Sequence, residues 1–275
     1  MQTCSPVLFS SSDASPQRRV LIVSPHFPPT NAPDHQRTRV ALPYFAEFGW
    51  EPHILTVDPQ QVTLPQDPRL NQVLPPELSI LRTRALPIQA TGKLGFGDLG
   101  WRCLPFFMQA GERLLSHHPF DLIFFSTTIF PVMTLGPRWL QKFGIPYVLD
   151  FQDPWRNEYY KTAKGAQRPG GRLKYAVAQG LARVCEPHAM RHVSQVVSVS
   201  PQYPETLQHR YSWLKPDQFT VLPFGAPEVD FEQLPQMQIR HSIFDPQDGK
   251  RHWVYVGVVC TGMALALRTL FLSIQ

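Results

Sequence analysis

The chain has 275 residues, of which 43% are hydrophobic and 17% charged, with a net charge of +5. That length suits one large domain or two small ones, with enough apolar residues to build a core. The mild basic excess favours anionic partners such as nucleotide diphosphates or acidic lipid surfaces. No dense Lys/Arg stripe interleaves with aromatics, so no nucleic-acid partner is expected.

The 29 prolines fall mostly between apolar runs and read as loop punctuation rather than disorder. Cys4, Cys103, Cys185 and Cys260 are widely scattered. They fit reduced thiols in a cytoplasmic protein better than a disulfide framework or a metal site. Residues 1–17 read as a flexible tail, because they have no basic start and only a brief apolar run at Val7-Leu8-Phe9. Residues 122–135 and 253–267 are uncharged but shorter than the ~18 apolar residues a span needs. Both fit a strand followed by a helix.

In chain order, Val20-Leu21-Ile22-Val23 opens the first strand, and a helix is predicted over residues 36–48, stopped by Gly49. Strands are predicted at 53–57 and 79–83, with a Pro- and Gln-rich excursion over 58–77 between them. Residues 86–104 are Gly- and aromatic-rich without a period, and a helix follows at 106–116. A buried strand at 122–125, a helix at 130–143 and a strand at 147–150 come next. Residues 151–171 read as a polar, basic, aromatic loop before a long helix over 173–192, which Pro187 should kink or shorten. The series continues with a strand at 195–199, a helix at 205–211, a strand at 219–222 and a polar linker over 235–250. It closes with a strand at 253–256 and a helix at 263–272.

Strands alternate with helices and are continuous apolar runs, the pattern of a mainly parallel sheet covered on both faces. The expected fold is α/β: a doubly wound, Rossmann-like domain over residues 18–234. Residues 251–275 read as the first strand and helix of a second, truncated domain. Ligands of such sheets lie beyond the carboxyl ends of the strands, so function is expected in the loops after Val23, Val57, Phe125, Asp150 and Val199.

Two of these loops are rich in chemistry. Residues 24–37 join the first strand to a helix start, where free backbone N–H groups could hold an anion. Arg37, and after it Arg39, could reach a phosphate or carboxylate there, or could be solvated surface arginines. The loop has no G-x-G-x-x-G and no Walker lysine. The second is Leu149-Asp150-Phe151-Gln152-Asp153-Pro154-Trp155-Arg156-Asn157. Its carboxylates could accept sugar hydroxyls, steady a developing positive charge or act as a base. Alternatively, Asp153 before Pro154 caps a helix start. The histidines include no metal-spaced pair, and no G-x-S-x-G is present. Among residues 86–107, Phe96, Leu99, Trp101, Phe106 and Phe107 lie near Lys93 and Arg102. They form either a hydrophobic flap over the sheet or a loop that dips into an acidic interface.

The run from Val20 to Arg37, the 149–155 segment and Val197-Ser198-Val199-Ser200-Pro201-Gln202-Tyr203 resemble the N-terminal domain of family 4 glycosyltransferases of the GT-B fold. Val221-Leu222-Pro223-Phe224-Gly225-Ala226 resembles the family's hinge-side motif, with Phe224 in place of the usual Asn. Val254-Tyr255-Val256-Gly257 resembles the first strand of its C-terminal domain. Ala32-Pro33 stand where many members carry paired glycines.

The resemblance implies transfer of a sugar from a nucleotide-sugar donor to a glycan or lipid-linked acceptor, with retention and with no metal or cofactor. It implies Asp153 as the catalytic residue and Asn31, Arg37, Asp150, Arg156 and Gly225 as substrate-binding residues. Gly257 would bind the donor. With most of the donor-side domain missing, little turnover is expected of this chain alone. Independently of the resemblance, the aromatic and basic residues of 86–107 make peripheral contact with an acidic membrane, at the inner face of the cell, a further expectation. The alternative is a non-catalytic module that binds a glycan, lipid or nucleotide.

Overall fold

In a computed structural model, the structure describes residues 18–92, 97–162, 170–237, 243–245, 247–257 and 263–274. The 1–17 tail, Cys4, Lys93, Phe96, Cys260 and part of the 235–250 linker lie outside the described residues. The chain divides into two units, Met1–Phe231 and Glu232–Gln275.

In the first unit, β1 (Arg18–Val23), β2 (Trp50–Val57), β3 (Ser79–Thr83), β4 (Leu122–Ser126), β5 (Tyr147–Phe151), β6 (Gln195–Ser198) and β7 (Phe219–Val221) form one sheet. Every pairing is parallel, in the order β3-β2-β1-β4-β5-β6-β7. Strands β1, β4 and β5 hold the middle, and the all-parallel sheet with helices between its strands is of the Rossmann-like class expected. Successive side chains of β1 alternate faces. Leu21 and Val23 join the larger core with Phe107, Phe125, Trp139 and Leu149, while Val20 and Ile22 join a smaller one with Phe27, Leu42 and Ile54. Burial on both faces explains why these strands lack polar alternation.

The helices of this unit are α1 (Gln36–Ala41), α2 (Ile88–Thr91), α3 (Leu99–His117), α4 (Leu135–Phe143), α5 (Tyr159–Thr162), α6 (Gly171–Met190), α7 (Gln202–Arg210) and α8 (Glu228–Gln233). Several expectations are corrected. The single helix over 36–48 is instead α1 followed by two short 3-10 turns, 42–44 and 46–48. Pro43 has no N–H to continue the α ladder. Gly49, left-handed at φ 73°, ends the run as expected.

Helix α3 starts seven residues before the predicted 106, with Asp98 accepting from the Gly100 N–H at 2.8 Å. It accommodates Pro105 within its first two turns. Leu99, Arg102 and Phe107 are buried in it, and Arg102 donates to the carbonyls of Leu86 and Gln61. The described part of 86–107 is therefore largely packed against the body of the domain rather than offered to an interface. Helix α6 likewise runs through Pro187 to Met190.

Two glycines let helices approach their neighbours. A Cβ on Gly111 of α3 would stand 2.2 Å from Trp139 Cζ2, and one on Gly136 of α4 would stand 2.6 Å from the Tyr147 ring.

In the second unit, α9 (Ala264–Ile274) forms close to the prediction. Residues 253–256 carry no strand pairing, which corrects that expectation. A lone apolar run has no partner edge within this unit to satisfy its backbone groups.

Candidate functional site

The carboxyl ends of β1, β4 and β5 bring together the loops that the sequence singled out. Residue 24 onward folds back across the end of the sheet, where His26 Nδ1 lies 2.9 Å from Asp34 Oδ1. Asp34 Oδ2 accepts from the Thr127 hydroxyl at 2.9 Å and the Thr128 N–H at 3.4 Å. The Asp34 backbone carbonyl accepts from Gln152 Nε2 at 2.9 Å. All four side chains that make this connection, His26, Asp34, Thr127 and Gln152, are buried. Burial pushes the Asp34 pKa up, but the hydrogen bond and charge of His26, then Thr127, outweigh it and hold it below the usual value. An ionised Asp34 only accepts, so His26 Nδ1 carries the hydrogen of this bond.

The neighbouring carboxylate is Asp150, fully buried at the end of β5. Its Oδ2 accepts from Ser126 Oγ at 2.8 Å and Gln152 Nε2 at 2.9 Å. Arg37 Nε stands 2.9 Å from the same oxygen, close enough for an ion pair though not aligned for a linear hydrogen bond. Burial dominates and pushes the Asp150 pKa up; the Arg37 charge and the hydrogen bonds oppose it without cancelling it. Asp150 Oδ1 is buried with no partner.

Neither arginine of the first helix is a solvated surface group. Arg37 Nη2 donates to the Leu222 carbonyl at 2.6 Å, and its guanidinium lies 4.9 Å from the Phe224 ring centre. Arg39 holds Asp230 through two parallel bonds of 2.6 and 2.7 Å. The helix start is also no open anion site: α1 is short, and the buried Asp34 carboxylate already occupies the first turn.

Asp153 is exposed at the rim. No helix begins at Pro154; the Asn157 side chain instead accepts from the N–H of Tyr159, the first residue of α5, at 3.0 Å. Partial burial, then the nearby Asp34 charge, raise the Asp153 pKa. Arg156 is tied inward: its N–H donates to Glu186 Oε2 at 3.2 Å and Nη1 lies 3.4 Å from the Tyr211 hydroxyl. Glu186, fully buried, also accepts from Arg210 and, at 2.6 Å, from Tyr211. Burial and then Glu186 push the Tyr211 phenol up to about 12.

Two clefts border these residues. A small one of about 270 Å³ is lined by Trp155, Arg156, Glu186, Tyr203 and Arg210. A larger one of about 560 Å³ runs between Asp98, Trp101, Thr128, Phe130, Trp155 and one side of α6. Trp155 stacks on Phe130 with ring centres 5.3 Å apart and planes at 11°. The larger cleft is mostly apolar with a few polar groups at one end, the usual make-up of a small-molecule site.

The structure thus brings Arg37, Asp150 and Asp153 to one end of the sheet. Asn31 is exposed, and its N–H donates to the Pro65 carbonyl at 2.8 Å, which ties it to the excursion after β2. Gly225 lies on the exposed segment leaving β7, with nothing within 4 Å of a Cβ placed there. Gly257 belongs to the second unit. Sequence reasoning missed His26, Asp34 and Thr127 as a set. The only signal was a histidine and an aspartate in the loop after the first strand, with no spacing rule to pair them. Among the described residues no three His, Cys, Asp or Glu side chains converge as a metal would need.

Among solved structures, the chain is similar to UGT2 of Phytolacca americana complexed with UDP-2fluoro-glucose and pterostilbene. That match has 12% identity and a TM-score of 0.46, covering 77% of this chain and 54% of the other. A ugt transferase from Siraitia grosvenorii in complex with UDP matches at 11% identity and TM-score 0.43, covering 76% and 51%. UDP-GlcNAc 2-epimerase from Methanocaldococcus jannaschii matches at 11% identity and TM-score 0.42, covering 74% and 45%. The chain spans about half the length of these solved structures. A comparison with curated proteins returns no match. The model of the glycosyl transferase 4-like domain matches residues 19–225, most of the chain and every element around the site. The chain belongs to the glycosyl transferase 4-like domain family.

Proposed function

We propose that residues 18–231 are the acceptor-side domain of a glycosyltransferase that moves a sugar from a nucleotide-sugar donor to a hydroxyl of a glycan or lipid-linked acceptor. The observation that carries this reading is the convergence of His26, Asp34 and Asp153 at the sheet's carboxyl end, next to a cleft of about 560 Å³. An acceptor lying in that cleft, against Trp155 and Phe130, would bring a hydroxyl toward the rim. Asp153, with its raised pKa, would steady the charge that develops there or exchange a proton with the hydroxyl. Asn31 and Arg156 would border the acceptor. Arg37 and Asp150 neutralise each other in the interior, so their part would be to hold the loops in register rather than to touch the sugar. The donor would be held across the cleft by a second domain, to which Gly257 belongs in the family pattern. Cys103 and Cys185 are free thiols, which supports a cytoplasmic setting.

The family resemblance implies retention at the anomeric carbon. The His26–Asp34 pair supports a second reading of the stereochemistry: an imidazole oriented by a buried carboxylate can take the acceptor proton in a direct displacement, which inverts.

The test combines nucleotide release from a panel of nucleotide sugars, in the presence of alcohol acceptors, with calorimetric titration of those acceptors. Saturable acceptor binding, and transfer lost in Asp153→Asn while the fold is kept, would support the reading. Transfer is assayed with a donor-side domain supplied in the same polypeptide; acceptor binding without transfer even then favours the non-catalytic binding module, and absent acceptor binding overturns both. The anomeric proton coupling of any product decides between retention and inversion.

A further inference from the structure

Helix α6 (Gly171–Met190) is amphipathic in an unusual sense. At about 100° per residue, Leu173, Val177, Gly180 and Val184 fall within a ~60° sector. Tyr175, Ala182 and Glu186 occupy the opposite side and are 8%, 3% and 0% exposed, so that side faces the domain. The apolar sector is therefore the outermost one, and Leu173, Val177 and Val184 are 79%, 47% and 70% exposed. A helix resting on a domain in water normally turns charged residues outward at these positions. Here the cations flank the apolar stripe instead, Arg172 and Arg183 on one side and Lys174 on the other, all exposed. The sequence has no carboxylate between Glu158 and Glu186.

We infer that this outer face of α6 rests on an acidic lipid surface. An apolar stripe between two rows of cations matches a bilayer interface, where the stripe enters the acyl boundary and the cations meet anionic headgroups. The stripe contains only Leu, Val and Gly. It lacks the aromatic or arginine anchor in a pocket that dominates protein–protein contacts, and the cations on both flanks would oppose stacking against a second copy of the same face. Leu173 and Val177 of the stripe, with Lys174, Ala178 and Leu181 beside them, also wall the larger cleft. A membrane lying on α6 would thus border the mouth of the candidate acceptor site. The contact itself does not depend on sugar transfer, because it is read with neither donor nor acceptor present.

The experiment is co-sedimentation of the full chain with vesicles of phosphatidylcholine alone and of equal parts phosphatidylcholine and phosphatidylglycerol. Binding is expected only to the acidic vesicles. Arg172→Gln with Arg183→Gln should weaken it about thirty-fold, and Leu173→Gln with Val184→Gln about tenfold or more. Removing three exposed cations elsewhere, Arg84→Gln, Arg113→Gln and Lys215→Gln, should leave most of the binding intact. All these positions are exposed, so the variants should fold, which circular dichroism checks. The inference is overturned by absent binding, by equal binding to neutral vesicles, or by equal losses in the two charge variants. It is also overturned if the Leu173/Val184 variant leaves vesicle binding unchanged and instead changes the mass measured by light scattering. That result would assign the stripe to contact between copies of the chain.

Discussion

Arg37 and Asp150 form a buried ion pair across 113 residues of sequence, Nε to Oδ2 at 2.9 Å, with the aspartate side chain fully enclosed. The pair joins the helix after β1 to the end of β5, and through the Leu222 carbonyl it also holds the segment that leaves β7. Removing one partner leaves the other charge buried and uncompensated. Arg37→Met should therefore cost about 3 kcal/mol or more, whereas Arg37→Met with Asp150→Asn should cost less than the sum of the two single changes. Urea unfolding of the four proteins gives the coupling; strictly additive costs would show that the pair is not the unit that holds this edge.

The Arg39–Asp230 pair should govern local rather than global stability. Its two parallel bonds fasten α8 to α1, and Asp230 is still partly exposed. Asp230→Asn is expected to move the urea midpoint little while speeding hydrogen exchange across residues 222–231. Unchanged exchange in that segment would mean that Arg37 alone secures it.

Stability should fall in acid in two stages. Burial lowers the His35 pKa in the folded state, against the hydrogen bond to the Thr30 carbonyl at 2.8 Å, which favours the charged form. A histidine with a depressed folded pKa binds fewer protons folded than unfolded. Its contribution is thus intact above the ordinary histidine value of 6.5 and is lost as pH drops from there toward the folded value. Asp34, also depressed, contributes fully above the ordinary aspartate value of 3.8 and loses that contribution as pH falls further through its folded value. His35→Gln keeps a donor for Thr30 and removes the first stage only. A pH series of urea midpoints with the same slope just below 6.5 in both proteins would refute the assignment to His35.

Gly111→Ala should destabilise by about 1–3 kcal/mol, because the new methyl would lie 2.2 Å from Trp139 Cζ2 and the ring is fully buried. Shrinking that ring with Trp139→Phe should recover part of the loss. Thermal unfolding of the single and double variants checks this, and a double variant no better than Gly111→Ala would mean that the strain is relieved elsewhere.

The fold class, and the gathering of the two candidate loops at one end of the sheet, were legible from the chain alone. Continuous apolar runs such as Val20-Leu21-Ile22-Val23 and Leu122-Ile123-Phe124-Phe125 can only be strands buried on both faces, and strands of that kind spaced by helices build a parallel sheet with its loops gathered at one end. Gly49 ended its segment where expected, since a left-handed residue is a local property. Local signals misled where tertiary contacts outweighed them. Residues 99–105 lacked a helical period, yet became the start of α3 because Leu99, Arg102 and Cys103 each found a buried partner. Residues 253–256 had the composition of a strand but no edge to pair with in their unit. The partners of the charged groups were decided only by the tertiary structure. Arg37 could as well have faced solvent, and nothing in the spacing of His26, Asp34 and Thr127 shows that they meet. Hydrophobic burial and backbone propensity leave a periodic trace along the chain, whereas an ion pair or a buried hydrogen bond depends on distances between strands that only the closed sheet sets.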